Sequence, residues 1–227
     1  MIYCDSAAST PLDKQVAEEM GDLSLRTFGN PSSIHKFGQE TKAVIERSRL
    51  SISKNIGCDL SEIIFTGCGS ESNNIALLGT LKSGDHLITS SYEHPSVLNV
   101  AKYLMTKGVD VSYITPNQDG VINPTDIENN IKQNTKLISI MYVNNELGTI
   151  NPIDDIGIIA KNNNILLHTD AVQIIGKKKI NLESHSIDLL SMSAHKFYGP
   201  KGVGGLYIKN GVNLSTTYFG GGQEKDL

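Results

Sequence analysis

The chain has 227 residues, of which 39% are hydrophobic and 19% charged, and a net charge of −4. These values are typical of one large globular domain, and the mild acidity argues against nucleic acid as the main partner. The first residues lack the basic start and apolar core of a signal peptide, and no apolar run approaches the roughly 20 residues that span a bilayer. Cys4, Cys58 and Cys68 form no CxxC pair and fit free thiols better than a disulfide framework. We therefore expect a cytoplasmic protein with no membrane role.

Short apolar runs alternate with helix-like segments along the chain. Residues 1–40 are loop-rich, with a turn cluster at FGNPSS, and are predicted to form an N-terminal arm before a domain over 41–227. Strands are predicted at 62–66, 86–90, 110–115, 136–143, 164–170, 187–193 and 203–209. Helical stripes follow Pro95 and Pro152. Because several strands are apolar without alternation, the sequence predicts an α/β fold, a mostly parallel sheet with helices on both faces.

Polar residues follow several of these strands, at the edge of the sheet where α/β proteins bind ligands. The first strand leads into GCGSESNN. There Gly67 and Gly69 allow a ligand to approach the backbone, and Ser70 is predicted to cap a helix whose free N–H groups face an anion. An ordinary glycine turn with a serine cap explains this stretch equally well. His94 follows the second strand just before a helix, where a histidine is more often structural than catalytic.

The later strand ends add further polar groups. Asn145 follows the fourth strand and is a candidate for hydrogen bonding to a ligand. His168 and Asp170 lie two apart and project to the same side of an extended strand, as a metal pair would. No third ligand at a recognised spacing accompanies them, so the sequence does not favour a metal site. The sixth strand ends in Ser193, His195 and Lys196.

Lys196 comes directly after an apolar strand, where a charged amine is costly to bury, so its position suggests that the amine is used chemically. Together the five strand ends supply an anion cradle, a histidine, an amide, an acid and a lysine. Pyridoxal 5'-phosphate needs this combination: a lysine for its aldehyde, a carboxylate for its pyridine nitrogen and a helix N-terminus for its phosphate. The sequence therefore predicts a pyridoxal phosphate site.

The sequence also resembles a known family, the cysteine desulfurases of the NifS/IscS type in the class V aminotransferase group. Eight stretches carry the resemblance in the family's order: DSAASTP, FGNPSSIH, FTGCGSESNN, EHPSV, VNNELGTINP, HTDAVQIIGK, SAHKFYGPKGVGGLY and GGGQE. The resemblance implies conversion of L-cysteine to L-alanine, with the sulfur passed to an enzyme cysteine as a persulfide for iron–sulfur cluster assembly and thiolation. It also implies a homodimer that delivers sulfur to an acceptor or iron–sulfur scaffold protein.

The resemblance implies a role for each candidate residue. Lys196 would form the Schiff base with the cofactor, and Asp170 would pair with the pyridine nitrogen. Gln173 would bind the ring hydroxyl, and His94 would stack on the ring and take part in proton transfer. Asn145 would contact the ring or the substrate carboxylate. The phosphate would be held by Gly69, Ser70, Ser193 and His195.

The chain departs from the family in several places. Ser70 stands where threonine is usual, and Cys68 where glycine is usual. The family continues beyond GGGQE into a small C-terminal domain with the persulfide cysteine and a substrate-binding arginine, and Arg26, Arg47 and Arg49 match no such position. We therefore expect that the small domain is absent and that this chain alone lacks full turnover. Another class V enzyme (an aminotransferase, a selenocysteine lyase or a cysteine sulfinate desulfinase) and a non-catalytic scaffold fragment remain open alternatives.

Overall fold

The computed structural model describes residues 2–222, 224 and 227. Six α-helices occur in this part of the chain: α1 (Lys14–Arg26), α2 (Lys36–Ile56), α3 (Gly69–Thr80), α4 (Pro95–Thr106), α5 (Pro124–Asn129) and α6 (Ile153–Asn162). The seven strands found there are β1 (Ile63–Thr66), β2 (His86–Ser90), β3 (Asp110–Ile114), β4 (Thr135–Ser139), β5 (Leu166–Asp170), β6 (Leu189–Ser193) and β7 (Gly204–Ile208). The predicted strands and both proline-initiated helices are present.

The seven strands form one sheet in the order β1-β7-β6-β5-β4-β2-β3. Strands β2 to β6 pair in parallel, and β7 lies antiparallel between β1 and β6. This arrangement confirms the predicted mostly parallel α/β sheet. Because the parallel strands share a direction, their carboxyl ends meet along one edge.

Both faces of the sheet are covered, which explains the continuous apolar runs in the strands. Leu87 packs with residues of α3 and α4, whereas its neighbour Ile88 packs on the opposite face with residues of α5 and α6. Both side chains are fully buried, and burial of each contributes about 1.5–3 kcal/mol. Among the described residues, none of the helices combines the length and the apolar character needed to cross a membrane.

The fourth predicted strand, 136–143, is too long, because β4 ends at Ser139. Its neighbour β2 ends at Ser90, so the backbone beyond Ser139 loses a strand partner on that side. The Met141 N–H donates instead to the Glu93 carboxylate, at 3.0 Å. The polar segment that follows is therefore free to bend over the edge of the sheet.

The loop-rich interpretation of the N-terminal arm is wrong for residues 14–26, which form helix α1. The Asp13 carboxylate caps this helix by accepting the backbone N–H groups of Gln15 and Val16. The α1 sequence carries apolar residues at helical spacing (Val16, Met20 and Leu23), yet none of the α1 side chains is buried. The boundary at residue 40 stays a prediction, and helix α2 runs across it.

Candidate active site

A cavity of about 600 Å³ opens at the edge of the sheet where the parallel strands end. All nine residues predicted for the site line it: Gly69, Ser70, His94, Asn145, Asp170, Gln173, Ser193, His195 and Lys196. The structure therefore brings together side chains that are up to 127 positions apart in the sequence.

Lys196 is half-buried in a short turn after β6 and is held by the N-terminal segment. Its Nζ donates hydrogen bonds to the backbone carbonyls of Ala7, at 2.6 Å, and Ala8, at 2.9 Å. Burial, together with the nearby charge of Lys177, lowers the pKa of the Lys196 amine. A lowered pKa increases the fraction of neutral amine, which is the nucleophilic form.

Gln173 links the N-terminal segment to Lys177. The Lys177 Nζ donates to Gln173 Oε1 at 2.9 Å, and Gln173 Nε2 donates to the Ala7 carbonyl at 2.9 Å. Because Gln173 Oε1 accepts from Lys177, the group that Gln173 presents to the N-terminal segment is its Nε2 amide, a hydrogen-bond donor.

Asp170 lies at the end of β5 and is only 6% exposed. Its Oδ1 accepts from the Val172 N–H at 3.0 Å, and its Oδ2 accepts from Asn73 Nδ2 at 2.8 Å. Burial raises the pKa of this carboxyl, and the two hydrogen bonds act in the opposite direction. The site thus contains a buried carboxyl group whose orientation is fixed by hydrogen bonds from Asn73 and Val172.

His94 is the N-cap of α4 and lies on the cavity wall, with its ring exposed. Its Nδ1 accepts the Ser96 backbone N–H at 3.1 Å and lies 2.7 Å from Ser96 Oγ. The preceding residue, Glu93, is buried between the ends of β2 and β4. There its Oε1 accepts from Ser90 Oγ at 2.5 Å, and burial raises its pKa to about 8.

The stretch predicted as an anion cradle forms the N-terminus of helix α3, and its geometry corrects one detail. Helix α3 begins at Gly69, and the N-cap position belongs to Cys68, whose side chain makes no capping hydrogen bond. Ser70 therefore lies inside the first turn and is not the cap. Because no side chain caps this end, the first-turn N–H groups that every helix leaves unpaired face the cavity region. Close by, Ser193 Oγ is buried and has no hydrogen-bond partner among the described residues.

The two remaining candidates contact loop residues. Asn145 Nδ2 donates to Glu146 Oε1 at 2.9 Å. His195 Nδ1 lies 3.2 Å from Ser9 Oγ, and the His195 carbonyl accepts the Thr10 N–H at 2.9 Å. Burial lowers the pKa of His195, and the charges of nearby lysines add to this effect. Both residues therefore hold their places through neighbours on the rim of the cavity.

The pairing of His168 with Asp170 as metal ligands is not supported. His168 is fully buried, and its ring nitrogens lie 2.8 Å from Ser139 Oγ and 3.0 Å from Ser191 Oγ. Burial lowers its pKa to about 3. Both nitrogens are thus engaged between neighbouring strands, and no cluster of three metal-binding side chains occurs in the part of the chain that the structure describes.

Sequence reasoning assigned no role to several residues of the site. Asp5, Ala7 and Ala8 line the cavity, and so do Asn73 and Ser96. All five lie in the stretches DSAASTP, GCGSESNN and EHPSV. The sequence therefore marks the segments that contain them but indicates no role for these individual residues. What was missing was the contact that each residue makes.

Comparison with known proteins gives the family. The aminotransferase class-V family model matches residues 2–227. Cysteine desulfurase IscS of Dictyoglomus turgidum is 47% identical over 229 residues, covering 99% of this chain and 58% of that protein. IscS of Clostridium botulinum, strain Kyoto, is 46% identical over 228 residues, covering 99% of this chain and 57% of that protein. The chain thus spans less than two thirds of the length of these relatives.

Solved structures agree with this. A structure described as SspA in complex with cysteine has a TM-score of 0.96 and 44% identity, covering all of this chain and 67% of that one. A NifS-like protein has a TM-score of 0.96 and 42% identity, covering all of this chain and 64% of that one. These matches confirm the resemblance to desulfurases of the NifS/IscS type. The chain belongs to the aminotransferase class-V family, whose members depend on pyridoxal phosphate.

Proposed function

We propose that this chain forms the cofactor-binding part of a cysteine desulfurase, which converts L-cysteine to L-alanine and passes the sulfur to an enzyme cysteine. One observation carries the proposal. A lysine with a lowered pKa, a buried carboxylate and an uncapped helix N-terminus share one cavity, in a chain 47% identical to a protein named cysteine desulfurase.

The residues of the cavity fit pyridoxal phosphate. Ser193 Oγ is a buried hydroxyl with no partner among the described residues, and a phosphate oxygen at the α3 N-terminus would give it one. Gly69, Ser70 and His195 line the same part of the cavity and would complete the phosphate site. When bound, the cofactor supplies an electron-withdrawing ring that stabilises negative charge on the carbon atoms of an attached amino acid.

The other side chains that line the cavity would contact the ring of the cofactor or the substrate. Lys196 would hold the cofactor covalently through its amine, whose pKa burial lowers. Asp170 would accept a hydrogen bond from the protonated ring nitrogen and so keep that nitrogen charged, with its Oδ1 and Oδ2 already oriented by hydrogen bonds. Gln173 would donate to the ring hydroxyl oxygen. His94 would lie against the ring and exchange a proton at Nε2, while Asn145 would contact the ring or the substrate carboxylate.

Among the described residues that line the cavity, none is an arginine that could bind the substrate carboxylate. Arg49 pairs with Glu224 at 2.8 Å on the far side of β1, and neither Arg26 nor Arg47 lines the cavity. Arginine is the usual bidentate partner of a carboxylate. We therefore expect the 227-residue chain alone to bind the cofactor without full turnover.

Cofactor binding is tested by the visible absorption spectrum of the purified chain after addition of pyridoxal phosphate. We expect an absorption band that is lost in Lys196→Ala and kept in the control Lys161→Ala, which changes an exposed lysine outside the cavity lining. No band in a folded parent chain would contradict the proposal.

The reaction is tested in a chimera in which this chain replaces the matching 58% of IscS from Dictyoglomus turgidum. We expect L-alanine and persulfide sulfur from L-cysteine, both lost with Lys196→Ala. A keto acid product would instead indicate an aminotransferase, and activity restricted to selenocysteine a selenocysteine lyase. Cofactor binding with no product would favour a non-catalytic scaffold.

The remaining assignments follow from the same proposal. Residues 1–40 would form an arm and 41–227 the cofactor-binding domain, and the protein would act as a cytoplasmic homodimer that gives sulfur to an acceptor or scaffold protein. Support for a second subunit comes from large exposed apolar side chains, including Leu25, Phe28 and Phe219, which are 82%, 71% and 90% exposed. Light scattering of the purified chain tests the dimer, and a monomer at all concentrations would contradict it.

A further inference from the structure

A continuous hydrogen-bond chain joins Asp170 to His94 through two residues that the proposed function does not use. Asn73 Nδ2 donates to Asp170 Oδ2 at 2.8 Å and to Ser96 Oγ at 2.8 Å. Ser96 Oγ in turn lies 2.7 Å from His94 Nδ1. The chain crosses from α3 to the start of α4, two helices that pack against each other.

The direction of each bond can be derived. The Ser96 backbone N–H donates to His94 Nδ1 at 3.1 Å, so this nitrogen carries no proton. The Ser96 hydroxyl must then donate its hydrogen to the same nitrogen, and its oxygen is left to accept from Asn73. The hydrogens therefore point outward from Asn73, one toward Asp170 and the others through Ser96 toward His94.

The orientation of Asn73 is also determined. Its side chain is 1% exposed. The reversed amide would place Oδ1 against the Asp170 carboxylate, where two acceptors repel. In the observed orientation both N–H bonds are used, while Oδ1 is buried without a partner among the described residues. The amide thus donates to Asp170 and Ser96 at once. It does so although its own oxygen has no partner among the described residues, so the link between Asp170 and Ser96 is its main contact.

We propose that Asn73 and Ser96 are positioning residues that fix His94 as the neutral tautomer with its proton on Nε2. With Nδ1 occupied by two donors, the remaining ring nitrogen is an N–H donor. One consequence rests on the proposed function: at the cofactor, His94 offers a proton from Nε2, and its orientation is tied to the carboxylate that holds the ring nitrogen.

A simpler role for the same residues must be distinguished from this one. His94 caps α4 by accepting the Ser96 backbone N–H, and this cap alone needs neither the Ser96 hydroxyl nor Asn73. If the cap is the whole role, removal of the hydroxyl leaves the tautomer unchanged. The proposal requires that it change.

The test is nitrogen NMR of the cofactor-free chain labelled with ¹⁵N-histidine at neutral pH, with His94 assigned through His94→Gln. The wild-type ring is expected to show one protonated and one unprotonated nitrogen, with Nε2 protonated. Ser96→Ala and Asn73→Ala are expected to move the two resonances toward each other as the second tautomer becomes populated. Ser96→Thr, which restores the hydroxyl, is expected to return them, and Ser91→Ala serves as an exposed control.

Two results overturn the proposal. One is a wild-type ring that is protonated on Nδ1 or averaged between tautomers, and this measurement needs only the assignment variant His94→Gln to fold. The other is a folded Ser96→Ala chain with the wild-type spectrum, which leaves only the helix cap. Because no cofactor is added, failure of pyridoxal phosphate to bind leaves either result unaffected.

Discussion

Replacement of Glu93 by glutamine tests the electrostatics of the site edge next to His94. Glu93 is 4% exposed, and its Oε1 accepts from Ser90 and from the Met141 N–H. Its Oε2 is buried with no partner among the described residues. A protonated carboxyl suits this environment better than a charged one, and burial accordingly raises the pKa from 4.5 to about 8.

The expected effect on stability follows from proton linkage. Between pH 4.5 and about 8 the folded chain keeps a proton on Glu93 that the unfolded chain has lost. The free energy of unfolding therefore falls as pH rises through this window, by about 1.4 kcal/mol per pH unit. The loss is complete once pH passes the folded pKa, and it totals about 5 kcal/mol.

Glu93→Gln keeps the shape and the acceptor oxygen but cannot ionise. We expect the variant to match the wild type near pH 4.5 and to be more stable by about 4–5 kcal/mol above pH 7.5. Guanidinium unfolding followed by circular dichroism across this range measures the difference, with the exposed Glu128→Gln as the matched control. A difference between wild type and Glu93→Gln that does not change with pH would refute the reasoning, because Glu93 would then be charged in the folded chain.

Three further predictions concern the lysine pair, the anion cradle and the buried histidine. Lys177→Met removes a charge that lowers the pKa of Lys196, so the pH at which pyridoxal phosphate binding is half-maximal should rise, whereas Lys178→Met should leave it unchanged. Ser193→Ala removes a buried hydroxyl that lacks a partner among the described residues; it should stabilise the cofactor-free chain by about 1 kcal/mol and weaken cofactor binding. Denaturation and cofactor titration measure both effects, and lower stability with unchanged affinity would contradict the assignment. Because burial lowers the pKa of His168 to about 3 from 6.5, the unfolding free energy should fall as pH drops through this range, and His168→Gln should flatten that slope in acid unfolding curves.

The sheet and most of the cavity residues could be predicted because both depend on local patterns, whereas Gln173 was expected only from the family resemblance. Apolar runs covered on both faces mark parallel strands, and parallel strands place the polar residues that follow them at one edge. Asp170 at the end of β5 and Lys196 just after β6 therefore meet without any knowledge of loop conformations. The position of Ser70 was predicted less well, because a serine after two glycines resembles a cap whether or not the helix begins one residue earlier.

The parts that were missed depend on backbone contacts or on packing between helices. Ala7 and Ala8 contribute carbonyl oxygens, which every residue has, so their side chains carry no signal for this role. Asn73 acts only because α3 and α4 pack together and bring Ser96 within 2.8 Å. Helix α1 is a different case: Val16, Met20 and Leu23 recur at helical spacing in its sequence, but the neighbouring turn cluster FGNPSS outweighed that signal.

The N-terminal segment belongs to the site as much as the predicted domain does. The Thr10 N–H and hydroxyl both donate to the His195 carbonyl, and the Tyr198 N–H donates to Thr10 Oγ1. These bonds hold the segment against the turn that carries Lys196, and the Ala7 carbonyl then accepts from its amine. A carbonyl acceptor favours the charged amine, whereas burial and Lys177 favour the neutral one. The protonation of the lysine is thus set jointly by the arm and the sheet, so a division of the chain at residue 40 separates two halves of one site.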